Sequence, residues 1–176
     1  MSDKHGATVE WGQSSTVGNE AGEARARRWR IEALRRFGDE PNEHVLRRRF
    51  EQPARSADAP VTDDEYRWME RVIAAVRSVH ATFLVVADAP RNGAHSSRIQ
   101  LLDDRASVSL EVRPNWVGIT PIPDYRGDAA AGFALMWQVC QALERDTNCL
   151  IVDPAGIAVI EMQLDVDRAR DEYGWI

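Results

Sequence analysis

Lysine is nearly missing from this chain: its basic residues are 21 arginines and one lysine, Lys4. With abundant alanine and aspartate, this usage looks like the product of a GC-rich bacterial genome. Cysteine is scarce as well. Cys140 and Cys149 cannot make a disulfide framework, and they read best as two small buried hydrophobes, which suits a reducing, cytoplasmic setting. They flank a helix-to-strand connection, so a redox pair or a nucleophile is the alternative. No apolar run approaches the ~20 residues that cross a bilayer. The first thirty residues lack the basic-then-apolar pattern of a signal peptide, so neither a membrane span nor export by that route is expected.

Chemistry-bearing motifs are missing too. Neither GxxxxGKS/T nor GxGxxG occurs; Gly127 and Gly132 stand five apart near a helix start, but no lysine follows them. The four histidines, His5, His44, His80 and His95, are scattered, with none three or four residues from another. Asp165 and Asp167 form a carboxylate pair, yet Arg168 and Arg170 beside them make a solvated, self-paired helix start the simpler account. Ser96 and Ser97 follow His95 without an elbow such as GxSxG. No catalytic residue, metal or cofactor is therefore assigned.

What is present is an ordinary globular composition, 44% hydrophobic and 28% charged, with an uneven charge distribution. The net charge is −6. Residues 22–55 carry ten arginines against six acids, +4, whereas residues 56–176 carry eleven against nineteen, −8. A basic arm thus precedes an acidic body. Phosphate binding needs clustered positive charge, so nucleic acid is not expected as the main ligand of that body, while a basic protein partner is compatible with it.

Residues 1–21, rich in Ser, Gly, Thr and Glu, read as an unstructured tail. Over 23–37, EARARRWRIEALRRF, the stripe Ala26, Trp29, Ala33 and Phe37 predicts a helix. Gly38 supplies a left-handed stop, and Pro41 starts a second short helix through Val45, Leu46 and Phe50. A linker closes this arm near residue 57, and 58–176 is expected to form one domain. Thr62 with Glu65 is a capping box opening a helix to about residue 80, striped by Tyr66, Met69, Ile73 and Val76. Strands are predicted over 82–87, 98–102, 107–112 and 116–120, with Pro114-Asn115 turning the third into the fourth. Asp128 is expected to cap a helix over 129–145 that carries Phe133, Met136, Trp137, Cys140 and Leu143. Residues 149–152 and 157–162 then make a hairpin, and Asp165 is expected to cap a last helical turn. The predicted class is α+β: an antiparallel sheet, four-strand meander plus C-terminal hairpin, packed by two main helices and preceded by a basic helical arm.

Six tryptophans are many for this length. Trp68 and Trp137 sit on helical stripes and are expected in the core. Trp116 shares a strand face with Gly118, whose bare backbone would admit a ring or a partner. Trp175 either pins the C-terminus or protrudes. Together with the acids Asp103, Asp104, Glu111 and Asp124, Trp116 and Trp175 are the expected partner contacts, since aromatic anchors dominate binding hot spots.

The strand set 82–120, the helix 129–145 and the segment CLIVDPAGIAVIE together resemble, in arrangement, small bacterial secretion-chaperone-like domains and toxin-immunity proteins, over about two thirds of the chain. That resemblance implies a non-catalytic role: covering a toxin's site, or keeping a secreted partner soluble. The expected function is a non-enzymatic module presenting an acidic face to a basic protein. One alternative is an enzyme or small-ligand binder with a pocket between sheet and helix, lined by Arg113, Asp153 and Cys149. Another is a regulator whose arm, with Arg47, Arg48 and Arg49, meets nucleic acid or membrane lipid; Glu40, Glu43 and Glu51 interleave with those arginines and favour an arm laid on the acidic body instead. An exposed edge strand would also let two copies pair.

Overall fold

Strand alternation carries most of the architecture. The computed structural model describes residues 30–51, 59–79, 82–91, 94–122, 129–154, 158–163 and 167, with only the backbone described over 85–95 and at 129. In chain order the elements are β1 (Ile31–Arg35), α1 (Asn42–Glu51), α2 (Asp63–Ser78), β2 (Thr82–Arg91), β3 (Ala94–Leu102), β4 (Ser107–Arg113), β5 (Trp116–Ile122), α3 (Ala129–Thr147), β6 (Cys149–Asp153) and β7 (Ala158–Val159). The strands form one open sheet in the order β2-β3-β4-β5-β1-β6-β7. Every neighbouring pair is antiparallel. The protein is α+β, with a four-strand meander from β2 to β5 and a C-terminal hairpin.

β1 corrects the helix expected over 23–37. Residues 31–35 are a strand seated between β5 and β6, with Ala33 opposite Val117 on one side and Ile151 on the other. Ala, Leu, Arg and Glu favour helix locally, but here two ladders of backbone hydrogen bonds and burial on both faces outweigh that preference. Ile31 and Ala33 join the main core, while Leu34 enters a second, smaller cluster. Gly38 has φ +59, the left-handed conformation its sequence context suggested, although it follows a strand. The expected tail over 1–21, the Asp128 cap and the last helical turn at Asp165 lie outside the described residues.

The main core lies between one sheet face and α2 with α3. Trp68, Val72 and Val76 of α2 and Phe133, Met136, Trp137 and Leu143 of α3 meet Ile99, Leu110, Ile119 and Ile151 of the sheet. The other face is covered over β1 and β6 by α1, where Val45 packs on Leu34, Leu150 and Val152. Over β2 to β5 that face holds the exposed Leu84 and Ile122 and the half-buried Gln100, Ser109 and Thr120.

The capping box is built as its sequence dictates. The Glu65 N–H donates to Thr62 Oγ1 at 3.3 Å, and the Thr62 N–H donates to Glu65 Oε2 at 2.9 Å. Removing the cap with Thr62→Ala should cost about 1 kcal/mol, read as a lower urea midpoint at unchanged slope; an unchanged midpoint would mean that the helix start is held by other contacts.

Candidate functional site

Two places in the fold gather exposed polar chemistry, and they lie at opposite ends of β4. The first is the turn joining β3 to β4. Asp103 folds it: its Oδ1 accepts from the N–H groups of Arg105 at 2.6 Å and Ala106 at 3.2 Å, while its own N–H donates to the Ala106 carbonyl at 2.9 Å. This turn faces the first half of α3, where residues 131, 134, 135 and 138 recur at helical spacing and share one side. Between them is a cavity of about 730 Å³, lined among the described residues by Thr82, Leu102, Asp103, Asp104, Arg105, Ala131, Ala134, Leu135 and Gln138. Two alanines where longer side chains would fill the gap keep it open. The small residues that open the helix, Ala129 to Gly132 with Ala134, are a sequence signal for this cavity, and a search for catalytic motifs passes over it.

The second place is the sheet face beside α1. In-register pairing sets Arg98 opposite Glu111, Glu111 opposite Gly118, and Gly118 opposite Glu32, in one row across four strands. Cross-strand partners share a face, so this row points away from the main core. The Trp116 side chain lies along Gly118: a Cβ there would stand 2.5 Å from the ring. The space expected to admit a partner at Gly118 is thus filled by Trp116 of the same strand. The Arg30 and Arg113 guanidinium carbons each lie 5.3 Å from the Trp116 ring centroid, within cation–π range, and the indole Nε1–H has no acceptor among the described residues. Glu32, 4% exposed, is held by Arg49 at 2.9 and 3.2 Å and by Arg30 at 3.7 Å. Glu111 takes two bonds from Arg113, at 2.8 and 2.5 Å.

Of the six expected contacts, the structure brings Asp103 and Asp104 together on the cavity rim, and Glu111 with Trp116 on the far sheet face. Glu111 is the fifth residue of β4, so it stands four strand steps, roughly 14 Å, beyond Ser107, where the turn of Asp103 and Asp104 ends. Asp124 and Trp175 lie outside the described residues. No protein-family model matches this chain, and neither a curated protein nor a solved structure does. Among the described residues no helix is long and apolar enough to cross a membrane.

The alternative pocket residues are not gathered. Arg113, Asp153 and Cys149 are absent from the cavity lining. Cys149 is 2% exposed, and burial pushes its thiol up to about 11, against the pull of Thr147 and of Arg71, Arg35 and Arg36. Its sulfur lies 2.9 Å from Thr147 Oγ1, which also meets the Leu143 carbonyl. Cys140 is fully buried and raised further still by the same desolvation, with the neighbouring Cys149 adding to it. Neither supplies a thiolate near neutral pH, which nucleophilic or redox chemistry requires. No group of three or more metal-ligating side chains converges among the described residues.

Arg47, Arg48 and Arg49 each have a carboxylate within ion-pair distance. Arg48 binds Glu40 at 2.9 and 3.1 Å and the Arg35 carbonyl at 2.5 Å, Arg49 binds Glu32, and Arg47 stands 3.8 Å from Glu51. α1 lies against β1 and β6, and its arginines pair with Glu32, Glu40 and Glu51 within residues 22–57, not with carboxylates of the 58–176 body on which the arm was expected to lie.

Proposed function

We propose that the protein is a non-enzymatic, cytoplasmic protein-binding module that receives a basic side chain of its partner at the cavity between α3 and the β3–β4 turn. The cavity carries this reading. Its rim holds two carboxylates, Asp103 and Asp104, against one arginine, Arg105, and its floor is the methyl and methylene surface of Ala131, Ala134 and Leu135. A lysine or arginine fits such a site, with its stem on the apolar floor and its charge at the rim. The overall charge of −6 steers a basic partner toward the body. Among the described residues, the side chains with displaced proton affinity, Cys140, Glu144, Arg145, Asp146 and Cys149, belong to the far half of α3 and the start of β6, and none lines the cavity. That absence of convergence favours binding over catalysis.

The volume also falls within the range of small-molecule sites, roughly 300–1,000 Å³, which makes a metabolite the second reading. A thermal-shift screen separates the two, because only a small ligand raises the melting temperature without a protein partner.

The test uses a labelled octalysine peptide followed by fluorescence anisotropy. Asp104→Lys reverses the rim charge, and Gln138→Trp fills the cavity from an exposed helix position. Each should weaken octalysine binding at least about tenfold, or ~1.4 kcal/mol, with the melting temperature unchanged. Octalysine binding of wild-type strength in both variants would overturn the assignment of the site.

A further inference from the structure

The acid-face expectation treats Glu111 as a contact for a basic partner. The geometry around it points the other way. On the sheet face beside α1 the carboxylates lie inside and the guanidinium groups outside: the Glu32 and Glu111 side chains are 5% and 29% exposed, whereas Arg49, Arg30 and Arg113 are 42%, 49% and 53% exposed. Both carboxylates are already matched by arginines. Arg98, exposed and directly opposite Glu111 in the next strand, makes no ion pair among the described residues. Four guanidinium groups against two neutralised carboxylates leave a positive strip on a protein whose net charge is negative.

We propose that this strip, formed by Arg98, Arg113, Arg30 and Arg49 around Trp116, is a second interaction surface that takes an acidic protein segment. It shares no residue with the cavity lining and does not depend on it. Guanidinium forks receive carboxylates in two-bond geometry, and neighbouring strands at about 4.8 Å spacing set successive forks at distances that alternate side chains of an extended peptide span. The half-buried Ser109, Thr120 and Gln100 and the exposed Leu84 and Ile122 on the same face give such a segment hydrogen-bonding and apolar neighbours.

Single-stranded nucleic acid is the competing polyanion, and two observations disfavour it. Bases bind by stacking on uncovered aromatic rings, but the Trp116 ring already lies on Gly118 and carries two guanidinium groups. A uniform polyanion also meets the repulsion of the acidic body beyond the strip, whereas a short acidic segment ends within it.

The experiment titrates the full chain into labelled octaglutamate, octaserine and a twelve-residue oligothymidylate by anisotropy, at 20 and 200 mM salt. Octaglutamate should bind more tightly than either other probe and weaken with salt. Arg98→Glu should reduce its affinity at least about tenfold and Arg98→Gln about threefold, both with unchanged melting temperature. Asp104→Lys should leave octaglutamate unaffected at 200 mM salt, because a separation of roughly 14 Å along the strands exceeds the Debye length, which is below about 8 Å at that ionic strength. Octaglutamate no tighter than octaserine, affinity untouched by both Arg98 variants, or tighter binding of the oligothymidylate would each overturn the proposal. None of these outcomes bears on octalysine binding at the cavity, so the two surfaces stand or fall separately.

Discussion

Replacing Ala33 with aspartate should abolish the cooperative fold. Ala33 is fully buried, hydrogen-bonded on both sides in the sheet and flanked in register by Val117 and Ile151. A carboxylate placed there meets only the apolar main core. Leaving a charge uncompensated in such a site costs about 3–5 kcal/mol even when the surroundings relax, and native domains hold only about 5–15 kcal/mol in total. Far-UV circular dichroism and urea unfolding should show a loss of the sharp transition, or a midpoint lowered by several molar at typical slopes of about 1–3 kcal/mol/M. The opposite result is equally readable. An Ala33→Asp chain that melts like the wild type would place residues 31–35 outside the sheet and restore the reading of this segment as a separate arm.

Trp137→Ala carries the next largest effect. The ring is 2% exposed and stacks on Phe133 with centroids 5.8 Å apart and planes at 20°. Truncation removes both the apolar transfer term and the packing of its neighbours, which for a buried tryptophan amounts to about 3–5 kcal/mol. The loss should appear in equilibrium urea unfolding with little change in slope. A loss below about 1 kcal/mol would mean that α3 presents a different side to the sheet. Because α3 also supplies the cavity floor, such a result would weaken the proposed partner site along with the core.

The two proposed surfaces share one physical origin, the way arginines distribute over this fold. On the sheet face they cover the carboxylates and turn their own charge outward. At the β3–β4 turn, among the described residues, Arg105 alone of the basic side chains accompanies Asp103 and Asp104 in the cavity lining, and the acids outnumber it. The two proposals thus give a protein of net charge −6 a cation-accepting rim and an anion-accepting strip. That arrangement suits an adaptor that contacts a partner of mixed charge, with each surface tested by its own probe.

Several features were decided by adjacent residues and were legible in the sequence. The Thr62 and Glu65 pair opens α2 because both hydrogen bonds span three residues. Pro114 and Asn115 reverse the chain because proline presets one torsion and Asn115, at φ 64, tolerates the left-handed one. Period-two alternation in β4 and helical stripes in α2 and α3 marked most of the side chains that enter the core, Trp68 and Trp137 among them, although Tyr66 of the expected α2 stripe is exposed and Ile73 only partly buried. The rest depended on partners distant in the chain. Apart from Ile31, β1 is built of residues that favour helix, and its placement between β5 and β6, more than eighty residues away, makes it a strand. The sign of the sheet face was hidden likewise: Glu32 meets Arg49 across seventeen positions, and Trp116 fills the gap that Gly118 seemed to leave. Local propensity is written in neighbouring residues, but ladder pairing, burial on two faces and charge neutralisation arise only when distant segments meet.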